Sequence, residues 1–261
     1  MTRTERNYYL LSSLFQLFSW FLAPVYPLFL LSRGLDVFQA SGVLAVFLAT
    51  TFLFEVPTGA VADVFGRKIS FLLSCAIRAV AFALYSQAEG FLDCATAEVI
   101  DGIGITLASG ALDAWAVDGM RAEGDHRPTD RFFARSQMLA RGAMIVAGIA
   151  CGYLAENGYV LPWLVGAAGF VVTGVLAAVL MDEPPRFESA TTRRPTIAET
   201  IREGFATLRR SAELRFICVS SALLVFAVVP AHMYWQPRIE SITGPSATLM
   251  GWIWAAVCLS S

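Results

Sequence analysis

Apolar residues in this chain come in long blocks separated by short polar stretches. The blocks cover about residues 8–31, 37–61, 70–88, 93–118, 133–156, 159–181 and 213–235, and an eighth starts near Thr248 and runs to Ser261. A helix rises about 1.5 Å per residue, so roughly 20 mainly apolar residues cross the hydrocarbon core of a bilayer. Seven blocks are read as spans; the eighth is too short to span as it stands. The pattern predicts an all-α integral membrane protein. The first block follows Arg3 and Arg6. It is read as a retained helix rather than a signal peptide, because its apolar run is longer than an ordinary h-region and no clean cleavage site follows.

Composition agrees with the pattern. Hydrophobic residues make up 56% of the chain and charged residues 15%, where a soluble domain is about a quarter charged. Cys75, Cys94, Cys151, Cys218 and Cys258 all fall within or at the edge of apolar blocks. They have no CxxC or Cys/His spacing and read as small buried apolar residues. His126 and His232 are isolated, so no metal site is expected. The net charge of −2 says nothing about a nucleic-acid partner, and since no basic-aromatic tract suggests one, none is expected. There is no HExxH, GxSxG, Walker loop or Asp-rich diphosphate motif, so no catalytic residue, cofactor or enzyme activity is expected. The carboxylate pair Glu98/Asp101 is the only feature an intramembrane enzyme could use.

Basic residues set the orientation, because Arg and Lys concentrate in cytoplasmic loops. With the N-terminus inside, fifteen of the nineteen lie on that side: the N-terminal tail, the 2–3 loop, the 4–5 region and residues 186–215. Only Arg33 and Arg238 lie outside, while Arg78 and Arg141 fall within blocks. This predicts a multi-pass protein of the cytoplasmic (inner) membrane with its N-terminus in the cytoplasm.

Three domains are expected: a six-helix bundle over 1–181, a cytoplasmic linker over 182–212, and an incomplete second bundle over 213–261. Within the linker, Thr196 and Glu199 form a capping-box pattern. Ile197, Ile201, Phe205 and Leu208 follow on one helical face, with Arg202, Arg209 and Arg210 elsewhere. That reads as an amphipathic helix on the inner membrane surface or, equally, a linker helix packed on the bundle.

The loop between the second and third blocks is GAVADVFGRK, residues 59–68. Gly59, Asp63, Gly66, Arg67 and Lys68 form G-x-x-x-D-x-x-G-R-K. In sequence, loop number and side of the membrane this resembles the signature loop of the major facilitator superfamily. Glu55, Val56, Pro57 and Thr58 before it, and Ser109 to Trp115, resemble bacterial members. The resemblance implies an N-terminal six-helix bundle plus the first one to two helices of a C-terminal bundle, the chain being C-terminally truncated. It implies a secondary transporter that moves a small molecule by alternating access. Gly59, Asp63, Gly66, Arg67 and Lys68 would then belong to a cytoplasmic latch, with Asp118 a partner for Arg67.

Ionisable residues inside a bilayer mark function by default. Helices advance about 100° per residue, which puts Glu98, Asp101, Thr106, Ser109 and Asp113 toward one side of the fourth block. Ser12, Gln16 and Ser19 recur at helical spacing in the first. In the superfamily these two helices line the cavity, so a polar path for substrate and protons is expected between them. From depth along the helices, Arg78 is expected near Asp101 or Glu98, and Arg141 near Asp113. Three acids against two arginines leave one acid over, and Glu98 or Asp101 is the expected proton carrier.

Efflux antiporters of the superfamily carry a Gly-Pro-rich signature in the fifth helix. Here Gly148 to Tyr153 keeps G-x-x-x-G but has no proline and no paired glycine, and the arginine many members place early in helix 4 is absent. The expected function is proton-coupled efflux. The alternatives are an uptake symporter or facilitator, or a non-transporting fragment of such a carrier.

Overall fold

The structure, a computed structural model, describes residues 1–125, 127–182 and 209–260. His126 and the linker helix around Ile197, Ile201, Phe205 and Leu208 lie outside the described residues, as do the side chains of Cys218 and His232. Ten helices are described: α1 (Arg3–Ser19), α2 (Tyr26–Ser32), α3 (Val37–Phe65), α4 (Arg67–Gln87), α5 (Phe91–Ala108), α6 (Ala111–Ala122), α7 (Asp130–Ala155), α8 (Val160–Leu180), α9 (Ala212–Thr243) and α10 (Ala247–Ser260).

Two blocks expected as single helices are broken. The first divides into α1 and α2 around a turn at residues 20–25. Pro24 and Pro27 fall here, and α2 starts with Pro27 in its first turn, where a missing N–H costs nothing. The fourth divides at Ser109 and Gly110. Gly110 is left-handed at φ 66°, and Ser109 has an extended ψ of 119°. A helical wheel drawn continuously from Glu98 to Asp113 therefore fails, because those residues belong to separate helices, α5 and α6. The other boundaries follow local chemistry. Thr2 caps α1 by accepting the Glu5 amide at 3.0 Å. Asp36 and Gln39 form a reciprocal capping box on α3, with bonds of 2.7 and 3.0 Å. Gly66, at φ 104°, turns α3 into α4, a conformation a side chain would resist.

Among the described residues, four helices are long and apolar enough to cross a bilayer: α3, α4, α7 and α8. On α3, Phe38, Phe52 and Leu53 are largely exposed, as side chains that face lipid rather than water would be.

Residues Met1–Pro184 with Gln236–Ser261 make one compact unit, and Pro185–Trp235 a second. In the second, the Ser211 hydroxyl accepts the Leu214 amide at 3.2 Å and so starts α9. In the first, α4 packs on α5 and α8, α3 on α5, α1 on α7 and α8, and α7 on α10. Small residues set the closest of these approaches. A Cβ on Gly104 of α5 would sit 2.5 Å from Arg78 Cγ on α4, and one on Gly169 of α8 would sit 2.1 Å from Phe18. At the α7–α10 crossing, a Cβ on Gly251 would lie 2.5 Å from the Gly148 carbonyl oxygen and 3.1 Å from Gly152 Cα. The G-x-x-x-G of residues 148–152 is thus spent on close backbone packing.

Gly251→Ala should lower stability by about 1–3 kcal/mol, because backbone rather than a movable side chain meets the new methyl. Gly59→Ala, at a helical position with nothing within 4 Å of the added carbon, should cause no loss. Thermal unfolding of the two variants in detergent checks the contrast; equal behaviour would contradict the crossing.

Candidate functional site

The centre of the first unit holds a cluster of buried charge. Arg78 on α4 is 2% exposed, Asp101 on α5 is 7% exposed and Glu98, one turn before it, is 6% exposed. Arg78 Nε donates to Asp101 Oδ1 at 2.8 Å, and a terminal nitrogen donates to Oδ2 at 3.1 Å. This two-point geometry matches the planar guanidinium to the carboxylate. The other terminal nitrogen donates to the Ser19 hydroxyl on α1, which itself donates to the Phe15 carbonyl at 2.7 Å. The guanidinium carbon lies 4.5 Å from the Phe170 ring centre and 5.3 Å from that of Phe15, a cation–π enclosure.

Glu98 is treated differently. Its Oε1 accepts a hydrogen bond from the Tyr26 hydroxyl of α2. Tyr26 in turn is 3.2 Å, oxygen to oxygen, from the Tyr85 hydroxyl of α4. Tyr85 stacks on Trp163 of α8 at 4.1 Å between ring centres and 8° between planes. Of two carboxylates spaced i, i+3 on one helix, Asp101 takes the paired bonds of Arg78 and Glu98 takes the Tyr26 hydroxyl.

The end of the bundle near Gly66 carries a second arrangement. Arg67, opening α4, forms an ion pair with Asp118 of α6 and also donates to the Ala114 carbonyl. Lys68 Nζ donates to the Ala178 carbonyl on α8 at 2.8 Å. Asp63 is exposed in the last turn of α3, and Gly59 lies one turn earlier on the same helix. Glu123, which closes α6, accepts the Thr4 amide at 3.0 Å and the Thr4 hydroxyl. Burial works against its charge, but these bonds hold its carboxyl below the ordinary range. Hydrogen bonds from Arg127 bring the Asp125 carboxyl down to about 2.

The other expected residues are spread out. Ser109 donates to Glu55 of α3 at 2.6 Å. Asp113 accepts from the Tyr8 hydroxyl at 2.7 Å, and Tyr8 accepts from Ser136 at 3.4 Å. Arg141 is exposed on α7, and Gln16 is half-buried on α1. Sequence reading missed Tyr26, Tyr85 and Tyr8. A phenol has no charge to stand out in an apolar block, and Tyr26 lies beyond a break that the block pattern hid.

Comparison with known proteins gives this architecture a context. A family model described as Major Facilitator Superfamily matches residues 8–261. A protein of Bacillus subtilis (strain 168), described as the uncharacterized MFS-type transporter YxaM, is 24% identical over 250 residues, covering 95% of this chain and 61% of its own length. Among solved structures, the nucleoside transporter NupG matches with a TM-score of 0.80 at 13% identity, covering 99% of this chain and 63% of its own. A D-xylose-proton symporter matches with a TM-score of 0.63 at 16% identity, covering 97% and 65%. At these identities the solved structures show the fold alone. The chain spans less than two thirds of the length of each of these relatives.

Asp101→Asn leaves the Arg78 charge buried without its counter-ion and should destabilise the protein by about 3–5 kcal/mol. The double variant Arg78→Met with Asp101→Leu removes both charges and should recover most of that loss. Unfolding of both in detergent is the check; a double variant no more stable than Asp101→Asn would contradict the pairing.

Proposed function

The chain belongs to the major facilitator superfamily, and on that premise we propose that it acts as a secondary transporter carrying a small molecule across the bilayer by alternating access. The superfamily is one of carriers, which sets the enzyme reading aside. The protein is a multi-pass membrane protein; the basic-residue asymmetry supports the inner membrane and a cytoplasmic N-terminus.

Transport is proposed to be coupled to protons, with Glu98 as the exchanging group. The observation that carries this is the unequal treatment of two neighbouring buried carboxylates. Asp101 receives paired bonds from Arg78, so its charge is compensated. Glu98 is held by the Tyr26 hydroxyl. A phenol can donate to the carboxylate or accept from the acid, so it can serve both protonation states. Arg78, Ser19 and Asp101 then form the fixed part of the polar path, with Gln16 on α1 beside it. Ser109, Asp113 and Arg141 belong to the path nearer the Arg67 end.

Gly59, Asp63, Gly66, Arg67 and Lys68 are proposed to form a latch on the cytoplasmic side. The Arg67–Asp118 ion pair supports that role. Efflux remains the favoured direction. Uptake is the second reading, favoured by residues 148–153, where the glycines serve the crossing with α10 and proline is missing.

In membrane vesicles containing the full-length protein, Glu98→Gln should abolish transport driven by a pH gradient while sparing substrate exchange without one. Gradient-driven transport that survives would rule out Glu98 as the carrier. For the latch, Arg67→Asp and Asp118→Arg should each lower transport about tenfold, and the double variant should recover much of it. A double variant as poor as the singles would leave the pair with a capping role only.

A further inference from the structure

Beyond the transport path, a cavity of about 800 Å³ opens between the first turn of α1, the last turn of α6 and the first two turns of α7. Its walls carry Arg121, Arg127, Arg131 and Arg135 against Glu5, Asp125 and Asp130. These charges are not equally engaged. Arg127 is tied to Asp125, with its closest contact at 2.5 Å. Arg121 and Arg131 are exposed and make no ion pair among the described residues. Arg131 and Arg135 are four residues apart and share a face of α7.

Glu5 is the unusual member. It is 4% exposed, and its Oε1 accepts from the Tyr9 hydroxyl at 3.0 Å. Its Oε2 is buried with no hydrogen-bond donor. The nearest guanidinium contacts are long, 3.7 Å from Arg127 to Oε2 and 4.0 Å from Arg135 to Oε1. A buried carboxylate oxygen left without a donor is costly. The cavity therefore presents free guanidinium groups together with one acceptor that requires a donor.

A bare anion answers only half of that demand, since its oxygens would oppose Glu5. A phosphoryl group answers both. Near neutral pH a phosphate or phosphomonoester exchanges between forms with and without a P–OH. The P–OH donates to Glu5 Oε2, while the charged oxygens accept from Arg121 and Arg131. Sulfate at the same pH has no proton to donate. We propose that this cavity is a binding site for a protonated phosphoryl group, selected against sulfate by the Glu5 carboxylate. Its ligand is either a soluble phosphate or phosphomonoester, or the monoester headgroup of a phosphatidic acid lipid.

The test uses the full chain in detergent, titrated with inorganic phosphate and with sulfate at matched ionic strength and pH, and read by calorimetry. Phosphate should bind at least about tenfold more tightly than sulfate. Arg121→Ala and Arg131→Ala, both at exposed positions, should each weaken phosphate about tenfold. Glu5→Gln should erase the preference over sulfate; if that variant fails to fold, the two arginine variants still decide the matter. In nanodiscs, saturable binding of phosphatidic acid but not of phosphatidylglycerol, a diester without a P–OH, with no response to free phosphate, assigns the lipid source. Binding of free phosphate assigns the soluble one. Equal affinity for phosphate and sulfate, indifference to both arginine variants, or no response to either phosphate or phosphatidic acid overturns the proposal.

Discussion

Four helices of the first unit, α1, α4, α5 and α8, meet around a buried guanidinium. Arg78 sits between helices whose surroundings are almost entirely apolar, where an uncompensated charge would be prohibitive. Its compensation comes from three directions at once: two oxygens of Asp101, the hydroxyl of Ser19, and the ring of Phe170. Each partner belongs to a different helix. The requirement to satisfy one side chain therefore fixes α1, α5 and α8 about α4. Gly104 completes the arrangement, because any side chain there would displace the stem of Arg78. Asp101 and Gly104 are one turn apart on α5, so the same face supplies the counter-ion and the room for the arginine.

The same accounting makes Glu98 different from Asp101, although both are acids in one helix. Net charge in a low-dielectric interior has to be balanced pair by pair. Arg78 balances one carboxylate, and Glu98 is met by a neutral phenol. Under the proposed mechanism this is the useful imbalance: a group whose charge is already compensated has little reason to exchange a proton, while one held by a hydroxyl can do so without losing its partner.

Much of this was legible from the residues. The blocks marked where the helices lie, because an apolar run long enough to cross a bilayer has few other uses. Depth along neighbouring antiparallel blocks was enough to place Arg78 near Asp101 or Glu98, since helices rise by a fixed step; which of the two acids takes its paired bonds shows only in the structure. The breaks were harder to see. Ser109 and Gly110 are tolerated inside many membrane helices, and Pro27 can sit in a first turn or interrupt an interior, so neither residue type dictates an end. The partners of the carboxylates were harder still. Tyr26 reaches Glu98 only because the chain turns at residues 20–25, a tertiary consequence that periodicity cannot express.

The break at Ser109 and Gly110 also bears on how the two charged arrangements relate. α4 carries both arginines, Arg67 at its start and Arg78 eleven residues on, about 16 Å apart along the axis. Their partners fall on opposite sides of the break, with Asp101 on α5 and Asp118 on α6. A continuous helix would tie the two carboxylates into one rigid rod parallel to α4. The left-handed Gly110 removes that constraint. The proposed latch partner on α6 can then shift without pulling Asp101 from Arg78. Under the proposed alternating access, the buried pair has to stay compensated throughout, whereas the proposed latch has to open. Separating the two acids by a break in the backbone permits both.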